Sequence, residues 1–144
     1  TKLRTSRFAR SGQAILQQSI LDTIPKTFPA LLENYKISKK AAHVGFDWKK
    51  PADVFEKVDE ELKELKQAIK KKSKKNIVEE LGDILFAVSN LCRLYGANPE
   101  LALHASNKKF RKRFAKLEVL AREKGHELNQ LSFEEWNRLY EKSK

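Results

Sequence analysis

Between Pro51 and Lys71 apolar residues recur at Val54, Val58, Leu62, Leu65 and Ile69, in steps of three and four. An α-helix gathers such positions onto one narrow face, and a strand does not. The same spacing returns at Ile77, Leu81, Ile84, Leu85, Val88, Leu91 and Cys92, and again beyond Pro99. No segment alternates between apolar and polar as a half-buried strand would. The fold expected from this pattern is all-α, an antiparallel helical bundle.

Local signals set the helix ends. Residues 29–43 read as a first helix, broken by the loop Gly45-Phe46-Asp47-Trp48. Pro51 suits the first position of the next helix. The run Lys70 to Lys75 reads as a turn before a helix over about Ile77 to Tyr95, and Gly96 suits the residue just past its end. Asn98-Pro99 starts the longest helix, and Gly125 follows its end. Ser132 and Glu135 form a capping box for a short final helix carrying Trp136, Leu139 and Tyr140. Residues 1–24 are polar and basic and are expected to be a tail or interdomain linker, leaving 25–144 as one domain. With no Met in the sequence, Thr1 reads either as the residue after a removed initiator or as a boundary within a longer protein.

The chain holds 30 Lys and Arg against 19 Asp and Glu, a net charge of +11. That balance points to an anionic partner. The charge is uneven, however. Residues 1–50 carry +7, residues 51–100 carry −1 and residues 101–144 carry +5. A protein made only to hold a polyanion has little use for an acidic middle. The single Cys92 excludes an intrachain disulfide framework and fits a reducing, cytoplasmic setting. Secretory-signal and membrane-spanning patterns are not expected.

Helical geometry places the acids. With Val58 at zero, Glu61 falls about 60° away, Lys57 about 100° and Glu64 about 120° away on the same side, while Glu60 points to the far side. With Glu80 at zero, Ile84 lies about 40° to one side; Asp83 and Asn90 lie about 60° and about 80° to the other, and Glu79 about 100°. Glu61/Glu64 and Glu80/Asp83, each spaced i, i+3, border the apolar faces of two helices expected to pack antiparallel. Four carboxylates across one groove repel, and a hard divalent cation such as Mg²⁺ relieves that repulsion. The alternative is a solvated acidic face paired with Lys57 and Lys66. On the long helix, with Phe110 at zero, Lys109 and Arg113 fall about 100° and about 60° away, also at the edge of the apolar face. They suit phosphates, or carboxylates of the same groove.

These residues resemble a known family. Glu60-Glu61-Leu62-Lys63-Glu64 followed by Glu80-Leu81-Gly82-Asp83 matches the EExxE…ExxD pattern of the all-α nucleoside triphosphate pyrophosphohydrolases. VGFDW, EELGDILFAVSNLCR and NKKFRKRF are closer still to the C-terminal MazG domain. The resemblance covers about residue 20 to the end. It implies Mg²⁺-dependent hydrolysis of a nucleoside triphosphate to a monophosphate and pyrophosphate, with Mn²⁺ as a possible substitute. It also implies that Glu61, Glu64, Glu80 and Asp83 hold the metal and that Lys57, Lys109 and Arg113 contact phosphates. Tyr140 stands where the family often has a base-contacting Trp, with Trp136 as competitor. A homodimer or higher homo-oligomer is implied as well. MazG commonly carries two related domains, and this chain has one. The competing readings are a basic nucleic-acid-binding module, which lacks any recognised binding motif here, and a non-catalytic regulatory module, against which the intact acid set argues.

Overall fold

The computed structural model describes residues 19–144. It contains five helices: α1 (Ala30–His43), α2 (Pro51–Lys70), α3 (Lys74–Leu94), α4 (Pro99–Glu123) and α5 (Phe133–Lys142). Short 3₁₀ turns at Ile20–Thr23 and Leu128–Gln130 precede α1 and α5. No strand occurs among the described residues. The linker reading falls largely on residues 1–18, which lie outside the described part.

The helix ends follow the local chemistry. Pro51 opens α2 and Pro99 opens α4, where a missing N–H costs nothing. The Asn98 side chain accepts from the Glu100 N–H at 3.0 Å. Ser132 and Glu135 cap α5 reciprocally, at 3.2 and 2.8 Å. Gly96 and Gly125 take φ of 73° and 69° just past α3 and α4. A glycine makes that left-handed turn without strain. One boundary differs from the sequence reading. The lysine run is a turn only over residues 71–73, and α3 already begins at Lys74. Lysine is a good helix former. A single left-handed residue, Lys72 with φ 53°, suffices to reverse the chain.

That tight reversal folds α2 and α3 into a hairpin, the most extensive helix pairing among the described residues. Val54, Ala68 and Ala87 are buried on these two helices. Helix α1 lies on α3. Beyond it, α4 and α5 close over Leu117, Ala121 and Leu139, with Leu120, Leu128, Leu131 and Trp136 around them. The N-terminal half of α4 is largely exposed in the single chain. Leu103 and Phe110, on the apolar face of α4 by their spacing, stay about half exposed, although the Phe110 ring lies against Phe114 and Tyr140, with centroids 5.8 and 6.5 Å away.

Candidate metal centre and adjoining cleft

The α2–α3 hairpin brings three of the predicted acids together. Carboxylate oxygens of Glu61, Glu64 and Glu80 lie within 4.8 Å of one another. Glu61 is 4% exposed, whereas the side chain of its neighbour Glu60 is 57% exposed. The helical period alone separates these two adjacent glutamates. Asp83, one turn beyond Glu80, is exposed, and it lines with Glu61 the same cleft.

The charge of the cluster is compensated on one side only. Lys57 Nζ lies 2.5 Å from Glu61 Oε1 and 3.4 Å from Glu60. The hydrogen bond to Glu61 raises the Lys57 ammonium above its ordinary pKa. The other oxygen of Glu61, Oε2, is buried with no hydrogen-bond partner among the described residues. Desolvation, then the nearby Glu61, Glu64 and Asp83, raises the Glu80 carboxyl above its ordinary value. A buried lone pair without a donor, beside carboxylates that resist ionising together, fits a hard divalent cation with oxygen ligands.

The cleft extends from this acidic end along α3, with a volume of about 790 Å³. On α3 its wall runs Asp83, Phe86, Ala87, Asn90 and Arg93, one helix face. Opposite stand Ile37, Ser38 and Ala41 of α1, and the α1–α2 loop adds Phe46, Asp47 and Trp48. Arg93 holds that loop through both carboxylate oxygens of Asp47, and Asp47 also accepts from the Trp48 N–H at 2.8 Å. The Arg93 hydrogen bond is the main cause holding the Asp47 carboxyl below its ordinary pKa.

The remaining predicted groups sit elsewhere. Lys109 is exposed on α4, and it does not line the cleft. The Arg113 guanidinium lies 5.9 Å over the Tyr140 ring and donates to its hydroxyl at 3.4 Å. Trp136 stacks on Phe114 at 5.9 Å in the α4–α5 core. Neither aromatic reaches the cleft of its own chain. Conversely, the sequence reading does not single out Ser38, Trp48, Asn90 or the Asp47–Arg93 pair as site residues. Asn90 lies on the right side of the helical projection, and Trp48 stands out as a loop aromatic. The meeting of Asp47 with Arg93, 46 residues away, has no local signature.

Comparison with known proteins agrees with the acid hairpin. Residues 50–117, which span α2, α3 and the start of the α4–α5 core, match the MazG nucleotide pyrophosphohydrolase domain. This segment belongs to the MazG family. It is 41% identical over 128 residues to the nucleoside triphosphate pyrophosphohydrolase/pyrophosphatase MazG of Thermotoga maritima. It is 38% identical over 132 residues to the nucleoside triphosphate pyrophosphohydrolase of Escherichia coli. Each alignment covers 89% of this chain and 49% of the relative, so the chain spans about half the length of these curated relatives. An uncharacterised Bacillus subtilis protein, YabN, is 45% identical over 129 residues, covering 89% of this chain and 26% of its own length. All four predicted metal ligands fall inside the MazG segment, as do Lys57, Lys109 and Arg113; Tyr140 and Trp136 fall beyond it. No described helix is long and apolar enough to cross a membrane.

Proposed function

We propose that this MazG-type domain hydrolyses nucleoside triphosphates at the α–β phosphoanhydride bond. One water is consumed, and a nucleoside monophosphate and pyrophosphate are released. The observation that carries the proposal is the α2–α3 acid cluster, with its buried, unpartnered Glu61 oxygen. The MazG match and the names of the two relatives support the choice of reaction.

Glu61, Glu64, Glu80 and Asp83 would hold Mg²⁺, with Mn²⁺ able to replace it. Bound there, the ion supplies charge neutralisation for the phosphates and acidifies the attacking water. Lys57 enters this reading as a phosphate contact, since it already lies at the mouth of the acid cluster beside Glu61. With a cation held by Glu61, the Lys57 ammonium would be free to turn to an anionic oxygen. The carboxylate set is what keeps the water reactive. Among the described residues, no histidine or cysteine lines the cleft to do so.

The reading extends to a homodimer or higher homo-oligomer. Leu81, Leu85 and Val88 on α3 and Leu101, Leu103 and Phe110 on α4 are exposed in the single chain. Apolar faces of that extent mark contact surfaces. Lys109 and Arg113 share α4 with three of these residues, so a second copy docked there would carry these cations towards a neighbouring site. A cytoplasmic setting is part of the same reading, as is residues 1–24 serving as a basic tail or interdomain linker.

The test is pyrophosphate release from a panel of nucleoside triphosphates with Mg²⁺. Release is expected from the native chain and is expected to be lost in Glu61→Ala and Asp83→Ala. No release from any triphosphate, or release unchanged in both variants, rejects the function.

A further inference from the structure

We propose that the outer face of α1, together with the turn Ile20–Thr23, binds single-stranded nucleic acid at a surface separate from the acid hairpin and its cleft. The proposal does not depend on the reaction assigned to the hairpin.

The charge of the chain leads to this surface. The acid hairpin accounts for the acidic middle, but residues 1–50 carry +7 and no lysine among them lines the cleft. Helix α1 separates these charges from the cleft. Ile37, Ser38 and Ala41 line the cleft on one side of α1. Lys36, Lys39, Lys40 and His43, spaced i, i+3, i+4 and i+7, share the opposite side. They form one edge of a second groove, of about 440 Å³. Thr23, Ile24, Pro25 and Phe28 form the other edge, because the turn Ile20–Thr23 packs on α1.

The cations of this groove meet no acid. Among the described residues, none of Lys36, Lys39 and Lys40 pairs with a carboxylate. Asp22 accepts from the Ser19 N–H at 2.9 Å, and Glu33, one turn before Lys36, holds no ion pair there. Lys40 is partly buried and donates to the Thr23 hydroxyl, which in turn donates to the Ile20 carbonyl at 3.1 Å. An ammonium is thereby held at the groove by a neutral partner. Like charges one turn apart on a helix repel, and an anion laid along them relieves the repulsion.

The shape of the surface selects the anion. From Lys36 to His43 the row runs about 10 Å along the helix axis, longer than a single phosphate needs. In sequence the positive charge continues: residues 1–18 add four basic side chains and no acid, and they join the groove through Ser19, which caps the turn Ile20–Thr23. An elongated polyanion matches such a row. The floor beside it is apolar, with Ile24 and Phe28 half-buried. The carboxylates of an acidic peptide have nothing flat to set against Phe28. Unpaired bases stack on such a ring while their phosphates follow the cations. A duplex keeps its bases stacked on one another, so the groove favours the single strand.

The experiment is fluorescence polarisation of labelled oligothymidylate and oligouridylate, each of about 12 nucleotides with a 5′-hydroxyl, on the native chain with a chelator present. Binding is expected to weaken as salt rises. Changing Lys36→Gln, Lys39→Gln and Lys40→Gln together should flatten the slope of log affinity against log salt by about 2, at about 0.7 per phosphate contact. Changing Lys70→Gln, Lys71→Gln and Lys74→Gln together removes the same charge from the α2–α3 turn and should alter the slope by less than about 0.5. Phe28→Ala should weaken binding at least about fivefold. The lysine variants leave the apolar floor in place, so the slopes decide even where Phe28→Ala fails to fold. The strand bound more tightly identifies the source as DNA or RNA. No salt-dependent binding of either strand overturns the assignment. So does an equal loss in the two lysine variants, or equal or tighter binding of a duplex or of polyglutamate of the same charge.

Discussion

Lys57 and Glu61 sit one helical turn apart with Nζ and Oε1 at 2.5 Å, so α2 supplies its own counter-ion to the buried acid of the cluster. Without a divalent cation this pair is what holds a negative charge at a buried position. Lys57→Met removes the partner and leaves the carboxylate behind. The metal-free variant should lose about 1–2 kcal/mol of stability, below the figure for a fully buried pair because Lys57 is partly exposed. Urea unfolding with and without Mg²⁺ checks this. Mg²⁺ should recover most of the loss, and a variant equally weakened in both conditions would argue against the pairing.

The adjacent glutamates give a sharper comparison. Glu61→Gln should lower pyrophosphate release at least about 100-fold, the upper end of what even indirect metal-site changes cost. Glu60→Gln should stay within about twofold, since its side chain faces water. Steady-state rates at saturating Mg²⁺ decide between them.

Metal binding should be visible in stability as well. At a concentration about 100 times its dissociation constant, a ligand of the folded state adds about 2.7 kcal/mol. For a chain of this size that amounts to a rise of about 5–10 °C in Tm. The rise should vanish in Glu61→Gln and on adding a chelator.

The Asp47–Arg93 pair has its own pH signature. The Asp47 pKa is depressed in the folded chain, chiefly by the Arg93 hydrogen bond. Its contribution is therefore present above the ordinary Asp pKa near 3.8 and is lost as pH falls through the lower folded value. Asp47→Asn should cost about 1 kcal/mol at neutral pH, and native and variant stabilities should converge in strong acid. Because this pair holds the loop bearing Trp48, the variant should also weaken nucleotide binding. Thermal unfolding from neutral pH down to strong acid follows the convergence.

Much of this arrangement is written in local sequence. A step of about 100° per residue separates Glu61 from Glu60 and sets Glu80 and Asp83 beside an apolar stripe, so the acid hairpin is legible in the sequence. Capping residues and glycines mark most helix ends in the same way. What local rules do not carry is who meets whom. Asp47 finds Arg93 across 46 residues, and Ser38 and Asn90 line one cleft only because α1 lies on α3. Phe110 shows the opposite error. Its spacing marks an apolar face, but spacing cannot say whether that face meets its own chain, and here it is 54% exposed.

That exposed face leads to a solution test. Leu85 is 61% exposed in the single chain. If α3 and α4 meet a second copy, Leu85→Glu should shift the molar mass measured by light scattering to that of a monomer. A native chain that is monomeric at working concentration would rule the oligomer out.

Everything proposed for the site converges on which bond breaks. Phosphorus-31 NMR of a nucleoside triphosphate incubated with the chain and Mg²⁺ reads it without labels. Equal amounts of nucleoside monophosphate and pyrophosphate are expected, and neither with Glu61→Gln. Nucleoside diphosphate and inorganic phosphate, or a spectrum that does not change, would overturn the proposed reaction.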